Sequence, residues 1–166
     1  MSENLLILGA GQYGMLVREV AQSTGRFENI SFLDDAGTVA IGRIDAYEDF
    51  VSDYKYAFVA IGNSKVRSEL ISKLESAGYE LAVIVSPYAH VSPSATIGGG
   101  SIVEPMAVVN TEAVLGKGSL VCAGAVVNHN ALVGDCCQID CNATISPRAN
   151  VPQGIKINSG SVWEKC

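Results

Sequence analysis

Positive charge is scarce in this chain. Its 166 residues hold 11 Lys and Arg against 17 Asp and Glu, a formal net charge of −6, so it has no basic surface with which to displace counterions from a nucleic-acid backbone. Charged residues make up only 17% while hydrophobic ones reach 48%, with a mean hydropathy of +0.27, a balance that excludes a disordered chain. Long apolar runs are missing as well. The stretch nearest the start is Leu5 to Leu8, preceded by Glu3 rather than by basic residues, which is too short for a signal h-region or a membrane span. The expectations are a cytoplasmic protein with neither a nucleic-acid nor a membrane partner. Aromatic residues are few, at 7%, beside 17 glycines, a composition that suits tightly wound β-structure better than a helical bundle.

Nor is there a CxxC pair or an even set of cysteines. The five are Cys122, Cys136, Cys137, Cys141 and Cys166, all in the second half, and an odd number without a secretory signal argues against a disulfide framework. Adjacent Cys136 and Cys137 would point to opposite faces of a strand, so no metal site is expected from them and Cys141.

What is present falls into two halves with different grammars. From Asn4 to about Val85, strand-like and helix-like segments alternate. Leu5 to Leu8 reads as a buried strand, Gly9 to Gly14 as a turn, and Met15 to Ser23 as a helix with Met15, Leu16, Val20 and Ala21 on its apolar side. Ile30 to Leu33 and Tyr56 to Ile61 read as strands. Ser64 to Ala77 reads as a helix carrying Val66, Leu70, Ile71 and Leu74 and stopping at Gly78, and Leu81 to Val85 as a last short strand. Strand and helix alternating, with glycines at the first crossover, predict an α/β domain of Rossmann type over residues 1–84.

From Val85 onward, stepping by six gives Val85, Val91, Ile97, Val103, Val109, Leu115, Val121, Val127, Val133, Ile139, Ile145, Val151 and Ile157, all aliphatic. With about a third of positions aliphatic, such a run arises by chance with odds on the order of 10⁻⁶. The residues two before these sort into columns eighteen apart: Ala89, Ala107, Ala125 and Ala143; Ala95, Ala113, Ala131 and Ala149; Ser101, Ser119, Cys137 and Ile155. The residues one after do the same, as Gly98, Gly116 and Gly134, and as Ser92, Asn110, Asn128 and Ser146. Three sixes to the eighteen predict a triangular parallel coil over residues 85–166. The aliphatic fills each face, the small residue packs near the corner, and the Gly or Asn one place later is expected to take the turn with positive φ. An up-and-down antiparallel sheet would not produce columns eighteen apart.

At this point the whole chain resembles the left-handed parallel β-helix acyltransferases built of hexapeptide repeats, in the branch of NeuD- and PglD-type sugar acetyltransferases with a Rossmann-like front domain. The residues that carry the resemblance are Gly9-Ala10-Gly11-Gln12-Tyr13-Gly14, Phe32-Leu33-Asp34-Asp35, Ala60-Ile61-Gly62-Asn63 followed by Arg67, Val91-Ser92-Pro93-Ser94-Ala95, and Val126-Val127-Asn128-His129. The left hand is implied by the resemblance, since the general rule for parallel crossovers gives the opposite one. The resemblance implies an acetyl-CoA-dependent enzyme, acting on an amine or hydroxyl of a nucleotide-linked amino sugar or sialic acid in surface-glycan synthesis. It also implies a homotrimer with the acyl-donor site between neighbouring coils.

The glycine motif follows a strand and opens a helix, the setting in which backbone N–H groups hold a diphosphate. Gly9, Gly11, Gln12, Tyr13 and Gly14, with Asp34, Asp35, Gly62 and Asn63, are the candidate substrate-binding residues. A nucleotide sugar, a purely structural turn and a dinucleotide such as NAD are the three readings, and the missing second mononucleotide unit counts against NAD. His129 follows Asn128 at a coil corner and so lies outside the core. It is either a solvated histidine or, as the resemblance implies, the base that takes a proton from the acceptor. His90 carries no such match.

Three departures bear on the donor half. Asn130 stands where the family commonly has an acid that orients the catalytic histidine, leaving a remote carboxylate such as Asp135 to serve. Pro147 stands where relatives have a glycine whose N–H is an oxyanion donor, with Arg148 beside it as a source of positive charge. Gln138 stands where a second histidine is common. Gln138, Pro147 and Arg148 are therefore the candidate cofactor-binding residues, and His129 and Asn130 the catalytic ones. Only thirty-seven residues follow His129, fewer than relatives use to hold CoA. The rival to an enzyme is a noncatalytic or redirected sugar-nucleotide-binding member with a degenerate CoA site.

Overall fold

The computed structural model describes residues 3–165, so Cys166 lies outside the described residues, and the chain divides into two compact units, Met1–Ala82 and Val83–Cys166. In the first, the strands β1 (Glu3–Leu8), β2 (Phe27–Leu33), β3 (Tyr56–Val59) and β4 (Glu80–Leu81) form a sheet in the order β2-β1-β3-β4. All pair in parallel. Helix α1 (Gln12–Ser23) links β1 to β2, and α2 (Ser64–Ala77) links β3 to β4. Leu5, Leu6, Ile7 and Leu8 have no exposed surface, nor do Ala57, Phe58 and Val59, which is what an unbroken apolar run becomes in a parallel sheet covered on both faces.

The helices differ from the sequence expectation in detail. Helix α1 begins at Gln12, inside the expected turn, because Gly11 in extended conformation already serves as its N-cap. Its buried side is Gly14, Val17, Val20 and Ala21, while Leu16 is exposed. Helix α2 has the expected bounds. Asn63 caps its start by accepting the N–H groups of Lys65 and Val66, both at 3.1 Å, and Gly78, left-handed at φ 101°, ends it. On its inner side Arg67 is fully buried, whereas Val66 faces out. A 3-10 helix over Ile44–Phe50 has no counterpart in the sequence reading.

The second unit is a coil of two-residue strands six residues apart. One face stacks β5 (Ile84–Val85), β8 (Ile102–Val103), β11 (Leu120–Val121), β14 (Gln138–Ile139) and β17 (Lys156–Ile157). The second stacks β6 (His90–Val91), β9 (Val108–Val109), β12 (Val126–Val127), β15 (Thr144–Ile145) and β18 (Val162–Trp163). The third stacks β7 (Thr96–Ile97), β10 (Val114–Leu115), β13 (Leu132–Val133) and β16 (Asn150–Val151). Each strand pairs in parallel with the one eighteen residues on, as Val108, Val126 and Thr144 do. This is a left-handed parallel β-helix. The expected strand Leu81 to Val85 is in fact two, since Leu81 pairs with Ala57 in the first unit and Ile84 with Ile102 in the coil.

Every aliphatic of the six-residue series is the second, inward residue of its strand, and from Val103 to Val151 each is at most 3% exposed. Trp163 takes the next step and packs against the same core. The small columns lie inside as expected, with Ala107, Ala113, Ala125, Ala131, Ala143 and Ala149 fully buried. Buried Ser119 is satisfied by donating its hydroxyl to the Gly116 carbonyl at 2.8 Å.

The corner geometry corrects the sequence reading. From Ile97 onward, positive φ falls three residues after each aliphatic, at Met106, Glu112, Asn130, Cys136, Asn142 and Arg148 and at glycines such as Gly100 and Gly118, and not at Gly98, Gly116 and Gly134 or the Asn column. Those three glycines answer to close stacking instead. A Cβ on Gly98 would lie 2.5 Å from the Lys117 nitrogen, and one on Gly134 would lie 2.5 Å from the Gln153 nitrogen. No disulfide joins Cys122, Cys136, Cys137 or Cys141, and burial pushes the Cys122 thiol well up.

Candidate functional site

After β2 the chain passes from one side of β1 to the other, so β1 and β3 diverge at a topological switch point, where open parallel sheets form a crevice beyond their strand ends. Two loops meet there: Gly9 to Gly11 after β1, and Ile61 to Asn63 after β3. Gly9 is left-handed at φ 105°, and its Cβ would stand 2.9 Å from the Ala60 carbonyl oxygen. Gly14 packs its helix on the Gly9 carbonyl so closely that a Cβ would overlap it. By contrast, Cβ atoms built on Gly11 and Gly62 meet nothing within 4 Å, and both residues are exposed. The first pair of glycines shapes the loop; the second leaves backbone open to a ligand.

The acidic pair divides its work. Asp34 accepts the Ala10 N–H at 2.7 Å on one oxygen and the Ala36 N–H at 2.8 Å on the other, and these backbone bonds, Ala10 first, hold its carboxyl below the usual aspartate range. It braces the glycine loop. Asp35 is the exposed member, accepting the Ile44 N–H at 3.2 Å with Arg43 at 3.7 Å. Asn63 is occupied as the cap of α2, and Arg67 donates to the carbonyls of Ile61 and Gly62 at 2.7 and 3.0 Å, which clamps the loop. Helix α1 has no side-chain cap and no acid in its first turn, so the dipole end beside Gln12 and Tyr13 favours an anion.

In the coil, the strand register sets Thr111, His129 and Pro147 in one corner column, and Ser94, Glu112, Asn130 and Arg148 in the next. His129 is exposed, and its Nδ1 lies 3.1 Å from Asn130 Oδ1. Asn130 in turn donates its Nδ2–H to Glu112 Oε2 at 2.5 Å. Glu112, Asn130 and Arg148 share left-handed backbone at φ 55°, 59° and 60°, a repeated geometry that aims their side chains along one ridge. The carboxylate behind the histidine is therefore Glu112, one coil back, and not Asp135, whose Oδ1 accepts the Lys117 N–H at 2.8 Å on another corner. Stepping by eighteen from Asn130 would have found Glu112.

Pro147 and Arg148 join His129 and Asn130 at this corner; Gln138 does not, since it lies on the face of β11 and β17 with its amide donating to Asp140 at 2.7 Å. At other corners the residue equivalent to Pro147 turns its N–H outward, as Lys117 does to Asp135 and Ala123 to Glu104 at 3.0 Å. Pro147 has no such donor. The Arg148 N–H is taken by the His129 carbonyl at 3.1 Å, and that of Ala149 by the Ser146 carbonyl, so neither of the two amides that follow Pro147 replaces it. Among the described residues, no group of three or more His, Cys, Asp or Glu side chains could hold a metal ion, and no helix is long and apolar enough to cross a membrane.

The profile of the PglD N-terminal domain matches residues 4–74. The whole chain is similar to the acetyltransferase domain of PglB from Neisseria gonorrhoeae, at 29% identity and TM-score 0.89, over 99% of this chain and 92% of that one. The same domain in complex with acetyl coenzyme A matches at 28% identity and TM-score 0.87, with the same coverage. A mutant of GDP-perosamine N-acetyltransferase from Caulobacter crescentus, in complex with CoA and GDP-perosamine, shares the fold at 22% identity and TM-score 0.85, over 98% of this chain and 89% of that one. A segment that matches the PglD N-terminal domain, followed by a left-handed β-helix of hexapeptide repeats, makes the chain similar over its whole length to sugar acetyltransferases of the PglD type.

Proposed function

We propose that this acetyltransferase uses acetyl-CoA to acetylate an amine or hydroxyl of a nucleotide-linked amino sugar or sialic acid in surface-glycan synthesis, with His129 as general base. The observation that carries this reading is the exposed imidazole whose Nδ1 faces an oxygen of Asn130. Bound there, Nδ1 keeps its proton and Nε2 is left as the basic atom. The acceptor nitrogen or oxygen attacks the thioester carbonyl carbon while Nε2 takes its proton; the C–S bond then breaks, and the departing thiolate recovers a proton from Nε2 as CoA-SH. Arg148 supports the oxyanion in place of the donor that Pro147 lacks. The PglB domain, of which this chain covers 92%, is known with acetyl coenzyme A bound, which favours a working donor site over a degenerate one.

The acceptor's diphosphate fits the first unit, at the open backbone of Gly11 and Gly62 beside the uncapped α1, with Gln12 and Tyr13 in its first turn and Asp35 free of the bracing duty that occupies Asp34. Gln138 remains a candidate for the donor through the face of β14. The coil is expected to form a homotrimer, for which Val114 and Leu132, outward on one face and 39% and 49% exposed, supply an apolar strip; a monomer mass by light scattering would remove it.

Release of CoA from acetyl-CoA over a panel of UDP- and GDP-linked amino sugars and sialic acids tests the proposal. Turnover with a nucleotide-linked amino sugar or with a sialic acid supports it. Absence of CoA release with every acceptor, while a sugar nucleotide still binds, favours the noncatalytic rival.

A further inference from the structure

We propose that Glu112 is a positioning residue that acts through Asn130 to set the tautomer of His129. The inference rests on the reading of His129 as general base for its catalytic consequence, but the tautomer itself does not depend on that reading.

An asparagine beside a histidine does not by itself choose which ring nitrogen bears the proton. The side-chain amide can turn over, offering either its oxygen, an acceptor, or its NH₂, a donor. Here the choice is made one coil away. Glu112 Oε2 can only accept, and it lies 2.5 Å from Asn130 Nδ2, so the NH₂ must face the carboxylate and Oδ1 must face the imidazole. Nδ1, 3.1 Å from that oxygen, can then bond only by carrying the proton, which leaves the lone pair on Nε2.

The backbone holds this chain of three groups in line. Glu112 and Asn130 are one full coil apart and both left-handed, at φ 55° and 59°. The Glu112 N–H is tied to Ser94 Oγ at 3.1 Å and the Asn130 N–H to the Thr111 carbonyl at 3.0 Å. The carboxylate also polarises the amide toward His129, supporting the imidazolium that forms during transfer without touching it. Placing the charge one group further back means that an aspartate at position 130 would confront Glu112 with a second carboxylate.

The test uses the fact that the protein has two histidines, His90 and His129, so their ring nitrogens are separable by ¹⁵N NMR. Wild type is expected to hold neutral His129 with its proton on Nδ1, and Glu112→Ala to shift it toward the Nε2-protonated form. In turnover, Glu112→Ala is expected to lower kcat about tenfold, with KM for both substrates unchanged, the size typical of lost ligand-orienting contacts. Asn130→Asp is expected to lose activity through repulsion, and adding Glu112→Gln to recover it, because the new amide can donate to the new carboxylate. The same His129 tautomer in wild type and Glu112→Ala, or an Asn130→Asp enzyme as active as wild type, would overturn the proposal. If His129→Ala turns over as fast as wild type while the tautomer shift is present, only the assignment of the base fails.

Discussion

Pro147 stands one coil beyond His129, and the N–H of the adjoining Arg148 is donated to the His129 carbonyl oxygen at 3.1 Å. The corner thus has an imidazole and a guanidinium but lacks the outward amide that its repeat elsewhere provides. Pro147→Gly is expected to restore that donor and raise kcat several-fold, and Arg148→Ala to lower it by about tenfold or more. Steady-state kcat for the two variants under saturating acetyl-CoA checks both directions.

The inward column sets the coil's stability. Val127 has no exposed surface, so Val127→Asp would enclose an unpaired carboxylate between stacked coils and is expected to cost more than about 3 kcal/mol. Asn130→Asp, on the exposed ridge, is expected to fold. Thermal unfolding by circular dichroism separates the two; a wild-type midpoint for Val127→Asp would refute the register.

The glycines of the front loop divide by what surrounds them. Gly14→Ala would drive a Cβ into the Gly9 carbonyl, and is expected to destabilise by about 1–3 kcal/mol. Gly11→Val enters open space, so the melting temperature should hold while sugar-nucleotide affinity falls at least tenfold through loss of backbone approach. Calorimetric titration with a UDP-sugar beside thermal unfolding distinguishes the roles, and tighter binding of NADH than of any sugar nucleotide would favour the dinucleotide reading.

Asp34 links loop stability to pH. The Ala10 and Ala36 N–H groups lower its folded pKa below the usual 3.8, so its contribution is fully present above the unfolded value and is lost as pH falls through the folded one. Asp34→Asn is expected to cost about 1–2 kcal/mol near neutral pH. The difference between variant and wild type should shrink as the medium is taken below pH 3.8 and toward the lowered folded value. A difference that grows on acidification would contradict the assignment of Asp34 as a charged brace.

Most of the coil was legible because a parallel β-helix repeats one environment: Val85 to Ile157 meet the same inward contacts at every step, and the columns eighteen apart state the stacking directly. What periodicity could not separate was two reasons for a glycine. Gly98, Gly116 and Gly134 are small because the next corner presses on them, while the left-handed position three residues after the aliphatic is glycine at some corners, as at Gly118 and Gly124, and Glu112, Asn130 or Arg148 at others. In the front unit, Leu81 to Val85 reads as one apolar run although its ends pair with different sheets. Arg67 is buried because it folds back on the Ile61 and Gly62 carbonyls of the loop just before its helix, a contact that apolar periodicity does not register, and the bond from Ala10 to Asp34 joins residues twenty-four apart. Glu112 differs from these: the eighteen-residue step places it beside Asn130, and only the hydrogen bond between the two needs the folded coil.

Proton transfer in the proposed reaction falls to His129, and the decisive measurement is the kcat of His129→Ala for CoA release with the best acceptor of the panel. A fall of roughly 10²- to 10⁴-fold, with the wild-type melting temperature and unchanged sugar-nucleotide binding, is the predicted result for loss of a general base. Equal rates in the two proteins would contradict it.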